Sequence, residues 1–173
     1  MPVSESSSKV VYEALRASGV RLVSALPETW LVHLIRMAEE DPEMILVRLA
    51  KEEEGVGISM GAHLAGLQTA MLMQNHGFFA AINGIISGAM LYKIPLLMLI
   101  SDRGFMGERD PWQTEGGKFT RRTLDALGIV QDELTHPDDA EGKVAMAMTL
   151  ARASLSPVAL LLSRGLMWEE PAA

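Results

Sequence analysis

Three consecutive glutamates, Glu52, Glu53 and Glu54, follow the apolar run MILVRLA and a lysine, and they precede a glycine-rich segment. Acidic residues in the first turn of a helix stabilise it by roughly 0.3–1 kcal/mol each, because the helix dipole favours negative charge there. Successive helical residues are rotated by about 100°, so the three side chains cannot share one direction. Two hypotheses therefore stand side by side: a solvated, charged helix start, or one inward carboxylate that takes part in proton transfer.

A second polar group is Asn75-His76-Gly77, which lies between a predicted buried strand and a predicted helix and is expected to be an exit loop. Free backbone N–H groups at a helix start bind anions and polar ligand atoms. The spacing is not that of a P-loop, because no lysine follows the glycine. His76 has two interpretations, a structural or solvated histidine and a ligand-binding one. No histidine pair has metal-ligand spacing, so we do not expect a metal held by this chain.

A third group is cationic and lies in the stretch DRGFMGERDPWQTEGGKFTRR, residues 102–122. Its members are Arg103, Arg109, Lys118, Arg121 and Arg122. Four glycines and a proline predict a long surface loop over residues 102–118, with Thr120 as the N-cap of the helix that follows. The cations belong either to a solvated loop or to a clamp for an anionic substrate, since arginine pairs bidentately with carboxylate, sulfonate or phosphonate.

Strands and helices alternate along the whole chain, which predicts the framework that positions these groups. Apolar runs predict strands at residues 20–26, 43–49, 68–74, 94–101, 129–134 and 157–163. Helical spacing predicts helices at residues 10–17, 27–40, 52–66, 78–92, 120–128 and 137–154. Several strands are apolar on both faces, so we predict an α/β fold with a doubly wound, mostly parallel sheet covered by helices on both faces. Residues 1–173 are expected to form one domain, with residues 1–8 flexible.

The ligand site of such a sheet lies beyond the carboxyl ends of its strands. Four loops that carry polar residues follow strands in the predicted order, with the sequences LPET, AKEEEG, MQNHGF and SDRGFMGERDPWQ. Groups that are distant in sequence should therefore gather at one edge of the sheet.

Composition excludes several classes of protein. Hydrophobic residues make up 49% of the chain and charged residues 21%, which is typical of a globular protein, and the net charge of −7 argues against a nucleic-acid surface. The absence of cysteine excludes disulfides and thiolate metal sites. No apolar run approaches the roughly 20 residues of a membrane span, and residues 1–9 are not a signal peptide, so we expect a cytoplasmic protein without a membrane partner.

Several motifs resemble one family in both order and spacing. The segments KEEEGVGISMGAHLAG, AMLMQNHGF and YKIPLLMLISDRGFMGE resemble the pyrimidine-binding (Pyr) domain of thiamine-diphosphate-dependent decarboxylases, in particular the group that acts on sulfopyruvate and phosphonopyruvate. The segments GVRLVSALPETWL and WQTEGGKFTRRTLDALGI extend the resemblance from Val10 to Met167. The resemblance implies the Pyr-type variant of the predicted fold.

The resemblance also implies roles for individual residues. Counting back from Gly61, the catalytic glutamate of the family falls on Glu52, one position before Glu53. In the family this carboxylate hydrogen-bonds N1′ of the aminopyrimidine and promotes loss of the thiazolium C2 proton. The residues implied to contact the cofactor are Glu52, Pro27, Gln74, Asn75 and Gly77. Those implied to contact the substrate are Glu28, Thr29, His76, Arg103 and Gln113.

A partner subunit is implied as well. The family binds the diphosphate and Mg²⁺ through a second (PP) domain, in which a GDG motif is followed by an asparagine, and no GDG occurs in these 173 residues. The resemblance therefore implies a beta subunit with a PP domain that holds Mg²⁺ in an alpha/beta hetero-oligomer. The small-residue segment AAINGIISGAM, residues 80–90, is the expected packing face for it.

The implied activity is conversion of sulfopyruvate to sulfoacetaldehyde and CO₂ by a two-chain enzyme. One alternative is decarboxylation of phosphonopyruvate or another small anionic 2-oxo acid. Another is a non-catalytic Pyr-like subunit that scaffolds or regulates a partner, because the chain reads QNHGFFA where relatives usually read something like QNSGLGN. In that segment Phe78 and Phe79 predict a narrower or less polar pocket.

Overall fold

Six parallel strands form one sheet in the computed structural model, which describes residues 2–169. The strands are β1 (Val20–Ala25), β2 (Ile45–Arg48), β3 (Gln68–Gln74), β4 (Leu96–Ser101), β5 (Val130–Leu134) and β6 (Pro157–Leu162). Their order across the sheet is β2-β1-β3-β4-β6-β5, and every neighbouring pair is parallel. The predicted α/β class and parallel sheet are confirmed.

Seven α-helices connect and cover the strands within the described residues. They are α1 (Glu5–Ala17), α2 (Val32–Glu40), α3 (Glu52–Leu64), α4 (Asn75–Gly84), α5 (Pro111–Ala126), α6 (Ala140–Ser154) and α7 (Arg164–Met167). Buried residues of α1, α2, α6 and α7 form a core on one face of the sheet, and those of α3, α4 and α5 form a second core on the other. Burial on both faces explains why the central strands β3, β4 and β6 are almost continuously apolar. No described helix is long and apolar enough to cross a membrane.

The expectation that residues 1–8 are flexible is wrong for residues 3–8. Val3 is buried and forms an antiparallel bridge with Trp168, and the Ser4 hydroxyl accepts a hydrogen bond from the backbone N–H of Ser7 at the start of α1. Ser4 is the N-cap of α1, a position that favours serine.

Helix α2 begins at Val32, five residues after the predicted start at Pro27. The Glu28 carboxylate accepts hydrogen bonds from the backbone N–H groups of Trp30 and Leu31, at 2.9 and 3.2 Å. These bonds hold residues 28–31 in a turn before the helix. The exit loop predicted at residues 75–77 is also wrong, because β3 passes directly into α4 at Asn75.

Helix α5 begins at Pro111, so the loop predicted through residue 118 ends at residue 110 and Thr120 lies within a helix. Gly116 and Gly117 lower helix propensity, which is why the sequence predicted a loop. The glycines instead permit close packing, since a Cβ at Gly117 would lie only 2.2 Å from the backbone oxygen of Arg103. Packing against the preceding loop therefore overrides propensity.

We expect Gly117→Ala to lower the free energy of unfolding by about 1–3 kcal/mol, because a methyl group there meets a backbone atom that cannot rotate away. Gly61→Ala, on an exposed part of α3 with no atom within 4 Å of the new methyl group, is the matched control. It should raise the free energy of unfolding by about 0.5–1 kcal/mol. Urea unfolding followed by circular dichroism measures both, and equal changes in the two variants would contradict the packing argument.

The small-residue segment 80–90 is partly buried against the rest of the chain. It comprises the end of α4 and a π-helical turn, Ile85–Met90. A Cβ at Gly88 would lie 2.7 Å from the Met60 sulfur, so this glycine permits close contact between the turn and α3. The packing face for a partner stays a prediction, and within this segment Ile86 is 43% exposed.

Candidate functional site

The polar loops meet at one edge of the sheet, because all six strands point their carboxyl ends there. An open cleft of about 510 Å³ lies at this edge. The residues that line it are Pro27, Glu28, Thr29, Val32, Gln74, Arg103, Asp110, Trp112 and Gln113. The prediction that distant loops gather at one edge is confirmed.

The three glutamates occupy the first turn of α3 and face different ways. Glu52 is buried, with 6% of the residue exposed. Glu53 forms an ion pair with Lys51 and accepts a hydrogen bond from Asn83, and Glu54 accepts hydrogen bonds from backbone N–H groups that precede the helix. Glu53 and Glu54 therefore have structural contacts, and Glu52 is the inward carboxylate, whose part in proton transfer stays a prediction.

The Glu52 carboxylate lies against Gly77 in the first turn of α4. A Cβ at Gly77 would approach Oε1 of Glu52 to 2.5 Å. Within residues 2–169 this carboxylate forms no hydrogen bond or ion pair. A buried polar group without a partner is costly, and such groups are commonly completed by a ligand, a solvent molecule or another chain.

Amide side chains connect the junction of β3 and α4 with α5 and with the loop that precedes α5. Gln113 donates a hydrogen bond from Nε2 to Oε1 of Gln74 at 2.9 Å, and Asn75 donates from Nδ2 to the backbone oxygen of Arg103 at 2.7 Å. The other amide oxygens, Oδ1 of Asn75 and Oε1 of Gln113, are buried and accept no hydrogen bond from the described part of the chain. Both oxygens are therefore available to accept a hydrogen bond.

Glu28 and Arg103 face each other in the cleft. The Glu28 side chain is 5% exposed, and its Oε1 lies 3.7 Å from a terminal nitrogen of Arg103. Burial raises the pKa of Glu28 to about 7, although the Arg103 charge and the N–H groups of Trp30 and Leu31 act in the opposite direction. Glu28 is therefore poised to change charge near neutral pH.

This shift predicts a pH-dependent stability. An acid with a raised pKa binds its proton more tightly in the folded state, so its contribution is complete below the ordinary value of 4.5 and is lost as pH rises through about 7. Glu28→Gln keeps the shape and removes the titration. We expect the wild type to lose more unfolding free energy than Glu28→Gln between about pH 5 and about pH 8 in urea titrations. Equal losses would contradict the raised pKa.

Three of the five cations lie outside the loop that was predicted to carry them. Arg103 is buried, and Lys118, Arg121 and Arg122 lie on α5 rather than in a loop. Arg121 pairs with Asp102, and Lys118 pairs with Glu115. These ion pairs are internal to the chain.

His76 is exposed near the cleft, in the first turn of α4. Its ring meets Phe79 edge-on at 6.3 Å and approaches Gly116, where a Cβ would lie 2.7 Å from Cε1. Phe78 is fully buried in the core and does not line the cleft, so the pocket narrowing predicted for it is wrong.

Sequence reasoning missed three residues that line the cleft: Val32, Asp110 and Trp112. The position of Asp110 and Trp112 in the segment that follows a strand was a signal, because such segments begin at the ligand edge. Val32 had no signal beyond the helical pattern. No group of three acidic, histidine or cysteine side chains within residues 2–169 is arranged to hold a metal ion.

Comparisons with known proteins agree with the Pyr-type fold. A sequence model described as "Thiamine pyrophosphate enzyme, N-terminal TPP binding domain" matches residues 6–129. The chain is 36% identical over 164 residues to sulfopyruvate decarboxylase subunit alpha of Methanococcus maripaludis, covering 95% of this chain and 98% of that protein. The same subunit of Methanocaldococcus jannaschii is 36% identical over 162 residues, covering 94% and 95%. A solved structure of 2-oxoglutarate:ferredoxin oxidoreductase from Magnetococcus marinus shares the fold, with a TM-score of 0.67, 18% identity, and coverage of 94% of this chain and 29% of that one.

Proposed function

The chain belongs to the thiamine pyrophosphate enzymes, as their N-terminal cofactor-binding domain, and we propose on that premise that it is the alpha subunit of a two-chain sulfopyruvate decarboxylase. The reaction would release CO₂ from sulfopyruvate and leave sulfoacetaldehyde. The observation that carries the proposal is the buried Glu52 carboxylate, which forms no hydrogen bond within the described residues and lies at the ligand edge of the sheet. The similarity to two sulfopyruvate decarboxylase alpha subunits, which extends over nearly the whole length of the chain, supports the choice of substrate.

The residues near Glu52 fit the aminopyrimidine end of thiamine diphosphate. That ring carries a basic nitrogen and an amino group, and Glu52 and the buried Oδ1 of Asn75 are acceptors without a partner among the described residues. Gly77 leaves space beside the carboxylate. We therefore assign Glu52, Pro27, Gln74, Asn75 and Gly77 to the cofactor. When bound, thiamine diphosphate supplies the electron sink for loss of CO₂ from a 2-oxo acid.

Glu52 is the catalytic residue in this proposal. Its carboxyl group would hold a proton against the ring nitrogen of the bound cofactor, and its burial would strengthen that hydrogen bond because little water competes for it. Its position at the first residue of α3 fixes the carboxylate on a rigid element rather than on a mobile loop.

The small anionic 2-oxo acid is assigned to the adjacent cleft. Glu28, Thr29, Arg103 and Gln113 line the cleft, and His76 lies in the first turn of α4. Gln113 is already oriented by its hydrogen bond to Gln74, which leaves its buried oxygen as an acceptor for a polar ligand group.

A beta subunit with a PP domain is the proposed partner. It would hold the diphosphate through Mg²⁺ and its GDG motif, and it would cover the edge of the sheet where Glu52 lies. The relatives named as alpha subunits match this chain over almost their whole length, which supports the same two-chain arrangement here.

A substrate panel tests the proposed function. The chain is co-expressed with a PP-domain chain, and CO₂ release is measured with thiamine diphosphate and Mg²⁺ for sulfopyruvate, phosphonopyruvate and pyruvate. We expect the largest kcat/KM for sulfopyruvate. A preference for phosphonopyruvate would keep the cofactor chemistry and change the substrate, and release from none of the three would contradict the proposal.

A further inference from the structure

Arg103 carries the one positive charge among the described side chains that line the cleft, and it is already paired. Its Nε and one terminal nitrogen donate to the Glu108 carboxylate at 3.0 and 2.8 Å, and the same terminal nitrogen donates to Asp110 at 2.7 Å. Its side chain is only 9% exposed. Two of the three guanidinium nitrogens therefore hold carboxylates of the loop formed by residues 102–110.

The remaining nitrogen of Arg103 faces the opposite wall of the cleft. It lies 3.7 Å from Oε1 of Glu28, and the guanidinium lies 5.4 Å from the centre of the Trp30 ring. The backbone oxygen of Arg103 also accepts a hydrogen bond from Asn75. One residue thus connects the 102–110 loop, the turn that contains Glu28, and the start of α4.

The charges around the guanidinium of Arg103 do not favour its direct contact with an anion. Arg103 faces the carboxylates of Glu108, Asp110 and Glu28, and the pKa of Glu108 is lowered to about 2, by Arg103 and backbone N–H groups acting against its burial. A sulfonate or phosphonate that paired bidentately with Arg103 would have to displace acidic partners, because two of the three nitrogens are occupied. A buried and satisfied ion pair is costly to break, because the charge left behind loses its partner.

We propose that Arg103 is a positioning residue of the cleft, and not the ligand of the anionic group of the substrate. It holds the 102–110 loop against the turn that contains Glu28 and keeps that carboxyl group facing the cleft. The expected effect of Arg103 on kcat and KM rests on the proposed function. Its expected effect on the titration of Glu28 can be measured without any enzyme activity.

The structural consequence concerns the pKa of Glu28. The charged groups that face Glu28 are Arg103 and, behind it, Glu108 and Asp110. Because Arg103 lowers the pKa of Glu28, its removal should raise that pKa by about one unit or more. Lysine at this position keeps the charge and should retain much of the lowering.

Carboxyl ¹³C NMR titration of the full chain, with Glu28 assigned from Glu28→Gln, measures this effect. We expect the pKa of Glu28 to rise in Arg103→Met, to be largely restored in Arg103→Lys and to stay unchanged in Arg122→Met, an exposed control on α5. If Arg103→Met fails to fold, the double variant Arg103→Met/Glu108→Gln is used instead, because it also removes the buried carboxylate that would lose its partner. The pKa of Glu28 should rise in the double variant as well. An unchanged pKa of Glu28 in the folded variants would overturn the proposal.

Kinetics of the assembled enzyme separate positioning from substrate binding. A positioning role predicts that Arg103→Met lowers kcat for sulfopyruvate and changes KM by less than about threefold. A rise in KM of roughly 10-fold or more with kcat retained would identify a direct ligand and overturn the proposal. If the wild-type complex does not decarboxylate sulfopyruvate, the proposed function fails, and the NMR titration still tests whether Arg103 controls the charge environment of Glu28.

Discussion

Glu52→Gln should reduce decarboxylation by the assembled enzyme by roughly 10²–10⁴-fold, the usual contribution of a positioned proton-transfer group. Glutamine preserves the shape of the side chain but cannot exchange a proton with the cofactor ring. Steady-state CO₂ release measures the effect. Circular dichroism and thermal unfolding should be nearly unchanged, because Glu52 forms no hydrogen bond or ion pair with the rest of residues 2–169.

Glu53→Gln is the matched control for that experiment. Glu53 is the next residue in the same helical turn and is paired with Lys51 and Asn83, so its replacement should leave turnover within about twofold of wild type. A large loss in Glu53→Gln with normal activity in Glu52→Gln would move the catalytic role by one residue. Normal activity in both variants would favour a non-catalytic scaffold or regulatory subunit.

Gly77→Ala should be the second most damaging change, although it alters no ionisable group. The new methyl group would lie 2.5 Å from Oε1 and 2.9 Å from Cδ of Glu52, far inside van der Waals contact. The Glu52 side chain must rotate away, and a displacement of about 1 Å at a reacting group can cost roughly 100-fold in rate. We expect a loss of that size in kcat, with the fold retained because the crowded atoms belong to a side chain.

Two comparisons test whether this effect acts through Glu52. Gly57→Ala, on α3 with nothing within 4 Å of the new methyl group, should leave activity unchanged. In the Glu52→Gln background, Gly77→Ala should cause little further loss, because both changes disable the same carboxylate. If the double variant shows the product of the two single losses in kcat, Gly77 contributes to turnover independently of Glu52.

The sequence predicted the framework well because burial leaves a clear pattern. Strands β3, β4 and β6 are covered on both faces, and their continuous apolar runs can be recognised from the sequence alone. The parallel arrangement then predicted the ligand edge, and the rotation along a helix predicted that the three glutamates point in different directions. The family resemblance, rather than periodicity, singled out Glu52.

The errors arose where tertiary contacts override local signals. Gly116 and Gly117 read as a loop, yet they lie in α5 because the backbone of Arg103 packs against Gly117. Arg103 read as a free cation, but its partners Glu108 and Asp110 become neighbours only when the loop closes on itself. Ion pairing of this kind cannot be read from spacing, because a loop has no fixed period.

The most direct measurement of the central account compares CO₂ release from sulfopyruvate by this chain alone, by the PP-domain chain alone and by the two together, each with thiamine diphosphate and Mg²⁺. In the proposed arrangement, the aminopyrimidine end of the cofactor binds this chain through Glu52, and the diphosphate end binds the partner. We therefore expect CO₂ release by the complex and no release above background by either chain alone. Turnover by this chain in the absence of the partner would contradict it.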